Sequence, residues 1–216
     1  GFGAHVMLDG VWESWLTVFM AARIKPGMHV VDVGANHGYY TLLFACLVGQ
    51  TGRVAAIEPH PEVARLLRRS VETNGFAERT QVIQQAAADV DGRKVLLGSP
   101  ANEPKNAHIL PRDSEPGQGR YRVRLARLDT LLAAWPRVDF IKVDVEGAEE
   151  ATHQGLDLLR CMVETGSQEA NLVVTGDGHA GAQVAIAPLL HAVLQCFQPA
   201  REAANDRVGR QRHGHT

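Results

Sequence analysis

Residues 30 to 40 read VVDVGANHGYY, and the fold turns on them. Val30, Val31 and Val33 form the short β-branched run of a strand buried on both faces of a parallel sheet. Asp32 interrupts that run, and a carboxylate in such a place is costly unless it finds partners. Gly34 and Gly38 bracket a turn, and Tyr39 opens a segment with helical spacing. Strand, glycine turn and helix, in that order, can present backbone N–H groups to a ligand.

Working outward, the stretch before the strand, VWESWLTVFMAARI at 11–24, places Trp12, Trp15, Leu16, Phe19 and Met20 at helical spacing. KPG at 25–27 stops that helix and leads into a strand over 29–33. After the glycine turn, a helix is expected over 39–48, a turn at GQTG and a second buried strand, VAAI, at 54–57 ahead of Glu58. Pro61 opens another helix, with Val63, Leu66, Leu67 and Val71 on one face and a left-handed cap at Asn74-Gly75. A third strand follows over 80–84. The order β-α-β-α-β implies a parallel sheet with right-handed crossovers, so the fold class is α/β with helices on both faces of a mostly parallel central sheet.

Farther along, 93–97 and 121–126 read as strands flanking a long polar loop, 98–120, which holds Pro100, Pro104, Pro111 and Pro116. VDFIKVD at 138–144 is the fourth main strand, and a helix follows over 147–159. Beyond it the pattern weakens to a candidate strand at 171–175 and a candidate helix at 184–197. The expected organisation is an N-terminal helical cap over 1–28, one α/β domain over 29–200 and a solvated tail over 201–216.

At 216 residues, with 45% apolar and 21% charged residues, the chain is long enough to bury a core without metal or disulfide staples. A formal net charge of −2 and no visible basic face give no reason to expect nucleic acid as partner. Three widely spaced cysteines (Cys46, Cys161, Cys196) argue against a disulfide framework or a cysteine zinc site and suit a reducing, cytoplasmic setting. No apolar run is long enough for a membrane span, and the first residues show no signal-peptide pattern. The chain begins with Gly1 rather than Met, as a piece cut from a longer protein would.

The dinucleotide fingerprint, Gly-x-Gly-x-x-Gly, needs a glycine where the backbone meets a pyrophosphate. Here the spacing is Gly34-x-x-x-Gly38, with Ala35 and Asn36 in between, which disfavours a pyrophosphate. S-adenosylmethionine carries no phosphate and fits better. Asp32 could orient its ammonium, directly or through water, and Glu58, 24 residues after Gly34, could accept both ribose hydroxyls.

These segments carry a family resemblance. VVDVGANHGYYTLLFA, VAAIEPHPEVARLL, LDTLL and VDFIKVDVEGAEEATHQGL, together with WESW, KPGMHV and AAADVDG, resemble the FkbM-type S-adenosylmethionine-dependent methyltransferases over residues 9–160. The resemblance implies a Rossmann-like class I methyltransferase sheet, S-adenosylmethionine as cofactor with S-adenosylhomocysteine as product, and O-methylation of a small-molecule or sugar/glycan hydroxyl. Carried over by position, Asp32, Gly34, Ala35, Asn36, Gly38 and Tyr39 would surround the methionine part. Glu58 would hold the ribose, Pro59 and His60 would wall it, and Gln85 and Ala86 would lie near the adenine. The family pattern continues with a buried Pro-apolar-Glu strand that 160–175 does not reproduce, which leaves the fifth strand and the acceptor side open. A second copy of the chain could cover that sheet edge.

An alcohol is a poor nucleophile at neutral pH, so a base that takes its proton during methyl transfer would help. In an extended IKVDVEG, Lys142, Asp144 and Glu146 share one side. Asp144 is the first candidate for general base. Lys142 either pairs with Asp144 or acts as base itself, and Glu146 is the third catalytic candidate, in a place that would also suit a helix N-terminus. The competing reading is a degenerate cofactor-binding domain that serves as an interaction module. No metal-ligand set is visible.

Overall fold

The computed structural model describes residues 12–99, 107–111 and 114–145, and the backbone of 171–174. Three strands come first: β1 (His29–Val33), β2 (Arg53–Ile57) and β3 (Thr80–Ile83). The helices between them are α2 (Tyr39–Leu47) and α3 (Pro61–Thr73), and α1 (Ser14–Arg23) precedes β1. With β8 (Phe140–Val143) and β9 (Asn171–Val174), the strands build a sheet of order β3-β2-β1-β8-β9 in which every neighbouring pair is parallel. The chain thus has the Rossmann-like α/β architecture, with β1 central and the order reversing beside it. In open sheets, ligands bind at the carboxyl ends of the strands at such a reversal.

The β-branched run does what its pattern implies. Val30, Val31 and Val33 have no exposed surface. Val30 joins Val54, Leu43, Phe44 and Phe140 under α1 and α2, whereas Val31 and Val33 join Ala55, Ile57, Ile141 and Val143 on the opposite face. The strand alternation sends Asp32 to the α2 side, directly opposite Lys142 in the β1–β8 register.

Two helix stripes differ in detail from the sequence reading. In α1 the buried residues are Leu16, Thr17, Val18, Met20 and Ala21, and Trp15 is 45% exposed. In α3 the stripe is Val63, Ala64, Leu67 and Val71, and Leu66 faces solvent. Ala64 takes the place of Leu66 in the stripe and is fully buried.

A second sheet joins the carboxyl side of β3. It comprises β4 (Ala86–Ala87), β5 (Lys94–Gly98), β6 (His108–Ile109) and β7 (Arg120–Ala126) in the order β4-β7-β5-β6. The two strands expected around the long loop therefore pair with each other, antiparallel, and β6 extends the pairing from within that loop. A short helix, α4 (Leu128–Leu131), buries Leu128 against the main sheet.

The late strand is present: β9 pairs with β8 from Phe140↔Asn171 to Val143↔Val174. The expected helices over 147–159 and 184–197, the tail over 201–216 and Glu146 lie outside the described residues. Among the described residues no helix is long and apolar enough to cross a membrane. Cys46 is disulfide-bonded, which corrects the expectation drawn from the number and spacing of the cysteines.

Candidate active site

At the carboxyl end of β1 the chain turns through Gly34 (φ +73°), Asn36 (φ +51°) and Gly38 (φ +91°) into α2. The space beside each glycine is already taken by protein. A Cβ on Gly34 would lie 1.8 Å from the backbone oxygen of Asp144, and one on Gly38 would lie 2.3 Å from Leu67 Cδ1. Turn and β8 end are therefore locked together by backbone contact, and turn and α3 by a side chain.

The turn's amides are also committed. The N–H groups of Gly34 and Ala35 both donate to Ile57 O at 3.0 Å, and Gly38 N–H donates to Ala35 O at 2.9 Å. Asn36 N–H donates to Glu58 Oε2 at 2.8 Å. A pyrophosphate cradle needs such amides free, so the geometry agrees with the glycine spacing in disfavouring a dinucleotide.

Glu58 is the acid at the end of β2, and it is buried. Its Oε1 accepts the His60 N–H at 2.8 Å while Oε2 accepts that of Asn36. Burial pushes its carboxyl above the ordinary carboxylate range, and the two N–H bonds pull the other way. A carboxylate can accept about four hydrogen bonds, so capacity remains for ribose hydroxyls. These remaining acceptor positions suit a vicinal diol such as a ribose.

His60 caps α3: its Nδ1 accepts the Val63 N–H at 3.4 Å. That bond requires a neutral ring, and burial lowers its pKa accordingly. The ring packs against Tyr121 of β7 with centroids 4.5 Å apart, and its buried Nε2 has no hydrogen-bond partner among the described residues. Pro59 and Gln85 are half-buried, and Ala86 is buried in β4 opposite Leu125.

The second acidic centre is Asp32. It has no exposed surface, and its Oδ2 accepts from Thr41 Oγ1 at 2.6 Å while Oδ1 accepts from Lys142 Nζ at 3.0 Å. Its direct partners are thus protein groups. Lys142 is 2% exposed and also reaches Gly34 O at 3.2 Å and Asp144 Oδ2 at 3.5 Å. An ammonium has three donors, and here three acceptors surround it. Asp144 is the member of this set that meets solvent, with 45% of its side chain exposed.

Three groups near the site, Thr41, Tyr40 and Tyr121, were not singled out from the sequence. Thr41 is buried and holds Asp32, and its only signal was a small hydroxyl nine residues downstream on a helical face. Glu13, the residue before α1, accepts from Tyr40 Oη at 2.8 Å, and burial pushes the Tyr40 hydroxyl pKa far up. Tyr39 Oη shares a hydrogen bond with Thr17 Oγ1 at 3.1 Å, so α1 is tied to the start of α2 twice. The contact of Tyr121 with His60 had no local signal.

A family model described as a methyltransferase FkbM domain matches residues 32–170. A protein-L-isoaspartate O-methyltransferase of Hyperthermus butylicus is 41% identical over 69 residues, 29% of each chain. The methyltransferase sdnD of Sordaria araneosa is 27% identical over 165 residues, 63% of each. The chain spans 29% to 35% of the length of the first isoaspartate methyltransferases it matches. A solved S-adenosylmethionine-dependent O-methyltransferase of Thermotoga maritima aligns at TM-score 0.44 and 16% identity, over 90% of this chain and 54% of that one.

Proposed function

The chain belongs to the FkbM methyltransferase family, and from that premise we propose that it moves a methyl group from S-adenosylmethionine to a hydroxyl oxygen of a small molecule or a sugar. The observation that carries this reading is the placement of Asp144. A half-exposed carboxylate stands at the carboxyl end of β8, 3.5 Å from a fully buried lysine and in backbone contact with the glycine turn.

The cofactor, when bound, supplies a methyl group already activated on a sulfonium. What remains for the protein is to hold the diol, align the acceptor and accept a proton. Glu58 holds the ribose hydroxyls from the end of β2. Asp144 takes the hydroxyl proton as the oxygen attacks, which leaves a methyl ether and the neutral thioether of S-adenosylhomocysteine. Lys142 is a poor base here, because its three donors are matched by Asp32, Gly34 O and Asp144. It positions Asp144 and the turn instead. Asp32 acts through the same lysine and through Thr41 rather than by touching the ligand. Glu146, outside the described residues, is kept in this reading as a candidate partner of Asp144.

Isoaspartate relatives bear the name of a carboxyl rather than an alcohol acceptor, so the acceptor atom is what an experiment must decide. A cytoplasmic setting belongs to this reading, with the Cys46 disulfide as the observation that weighs against it.

The test begins with thermal shift against S-adenosylmethionine, S-adenosylhomocysteine and NAD. A ligand at 100 times its Kd adds about 2.7 kcal/mol, a visible shift. Shifts with the two adenosyl ligands alone, followed by transfer of labelled methyl to an alkali-stable ether on a hydroxyl-bearing panel, are expected. An alkali-labile methyl ester as the product would move the acceptor to a carboxyl. No shift with any ligand would leave an interaction module.

A further inference from the structure

The outer face of the second sheet carries a row of cations. In β7 the side chains alternate: Tyr121, Val123 and Leu125 turn inward, while Arg120, Arg122 and Arg124 are exposed. The antiparallel register sets Lys94 of β5 opposite Arg124, and it is exposed too. His108 of β6 flanks Gly98 on the other side from Arg120, on the same face.

Successive residues on one face of a strand are about 7 Å apart and neighbouring strands about 5 Å. Arg120, Arg122 and Arg124 thus span about 14 Å in a line, with Lys94 beside one end and His108 near the other. Among the described residues none of the four arginine and lysine side chains is in an ion pair, and the hydrogen bond found for them runs from Arg120 to the backbone oxygen of Glu115. The acids nearest in sequence are Asp89, Asp91, Glu115 and Asp129, and the carboxylates of Asp91 and Asp129 are engaged elsewhere. Asp91 caps α4 through Arg127 N–H and Thr130, Asp129 pairs with Arg127, and Arg127 binds Asp89 O. A chain of net charge −2 therefore concentrates four uncompensated positive charges on one small face. This corrects the expectation that no basic face exists.

We propose that this row docks an extended anionic polysaccharide, a glycan bearing carboxylate, sulfate or phosphate groups along its length, whose hydroxyl is the acceptor. The inference deepens the sugar branch of the function proposed above and rests on it. The row is linear, as a chain of repeating anions is. Between the cations lie Leu96 and Gly98, with no aromatic side chain on which bases could stack, which disfavours single-stranded nucleic acid. The strand bearing the row also carries Tyr121, on its opposite face, against His60 of the cofactor wall, so row and wall share one strand.

The test uses the full chain and fluorescent heparin, with dextran and poly(U) in parallel, at several salt concentrations. Heparin is expected to bind and dextran not to. The double variant R122E/R124E should weaken heparin by at least about tenfold and flatten the dependence of log K on log salt by roughly one unit per cation lost. The melting temperature and the thermal shift with S-adenosylmethionine should stay as in the wild type. Heparin binding that is absent, or unchanged in the double variant, overturns the proposal. So does poly(U) binding as tight as heparin or tighter, which would make the face a nucleic-acid surface. A sample that shifts with S-adenosylmethionine but ignores heparin fails this inference alone. One that binds heparin but shows no adenosyl shift fails the methyltransferase reading.

Discussion

Gly34 stands so close to Asp144 that a Cβ on it would come within 1.8 Å of the Asp144 backbone oxygen. The first glycine of the turn is thereby explained by its approach to β8 as well as by any ligand. Its φ of +73° adds a second reason for glycine. Gly34→Ala is expected to lower unfolding stability by about 1–3 kcal/mol, as overpacking against immovable backbone does, and to lower cofactor affinity with it. Gly38→Ala meets the tip of Leu67, which can yield, so it should cost less. Urea denaturation of both variants checks the order. Equal losses would show that backbone conformation, not the Asp144 contact, sets the penalty.

Lys142 and Asp32 face each other across β1 and β8 with 2% and 0% of their side chains exposed. Removing one partner of such a pair leaves a buried charge and costs about 3–5 kcal/mol. Lys142→Met should therefore destabilise strongly. Lys142→Met with Asp32→Asn should recover part of the loss, because the stranded carboxylate is gone and the amide can still accept from Thr41. A double variant no more stable than Lys142→Met would mean that the lysine matters chiefly through Gly34 O and Asp144. Denaturant midpoints of the two variants decide the point.

Glu58 predicts a pH dependence of cofactor binding. Its folded pKa is raised by burial, so at mildly acidic pH the free protein holds a proton there that the unfolded chain would release. The contribution to stability is therefore full below the ordinary carboxylate pKa and is lost as pH rises through the raised one. Ribose hydroxyls donate to the ionised form, so cofactor affinity should do the opposite. It should fall on acidification, with a midpoint above the ordinary glutamate value of 4.5, and binding in that window should release a proton. Isothermal titration in two buffers of different ionisation enthalpy reads that proton directly. Glu58→Gln should bind more weakly at neutral pH and lose the dependence. A wild-type affinity flat over this range would take Glu58 out of the ribose site.

The parallel sheet was legible because its strands are apolar runs with unambiguous ends: the glycine turn after Val33, Glu58 after Ile57, Asp144 after Val143. The strand-end acids announced the site in the same way, since a carboxylate beside a buried strand has few structural excuses. What the sequence did not disclose are relations across the chain. Nothing local in Asp32 shows that Lys142, 110 residues away, saturates it, for register is settled by the whole sheet. Leu66 and Ala64 both satisfy a helical stripe, and nothing local decides between them. The cationic row was hidden because summed charge is blind to a period of two: Arg120, Arg122 and Arg124 alternate with core residues. The second sheet was seen only as two strands and a loop, because antiparallel pairing across an insertion leaves no turn signature to read.

Asp144 separates chemistry from structure within one cluster. Its carboxylate is 45% exposed and the contact to Lys142 is the longest of the lysine's three, so Asn in its place keeps the size and the strand end while giving up the base. Asp144→Asn should reduce kcat by about 10²-fold or more, within the range for a general base. Its affinity for S-adenosylmethionine should stay within about threefold, under 1 kcal/mol. Single-turnover methyl transfer against equilibrium binding resolves the two. A parallel loss in both would assign Asp144 to holding Lys142 and the glycine turn.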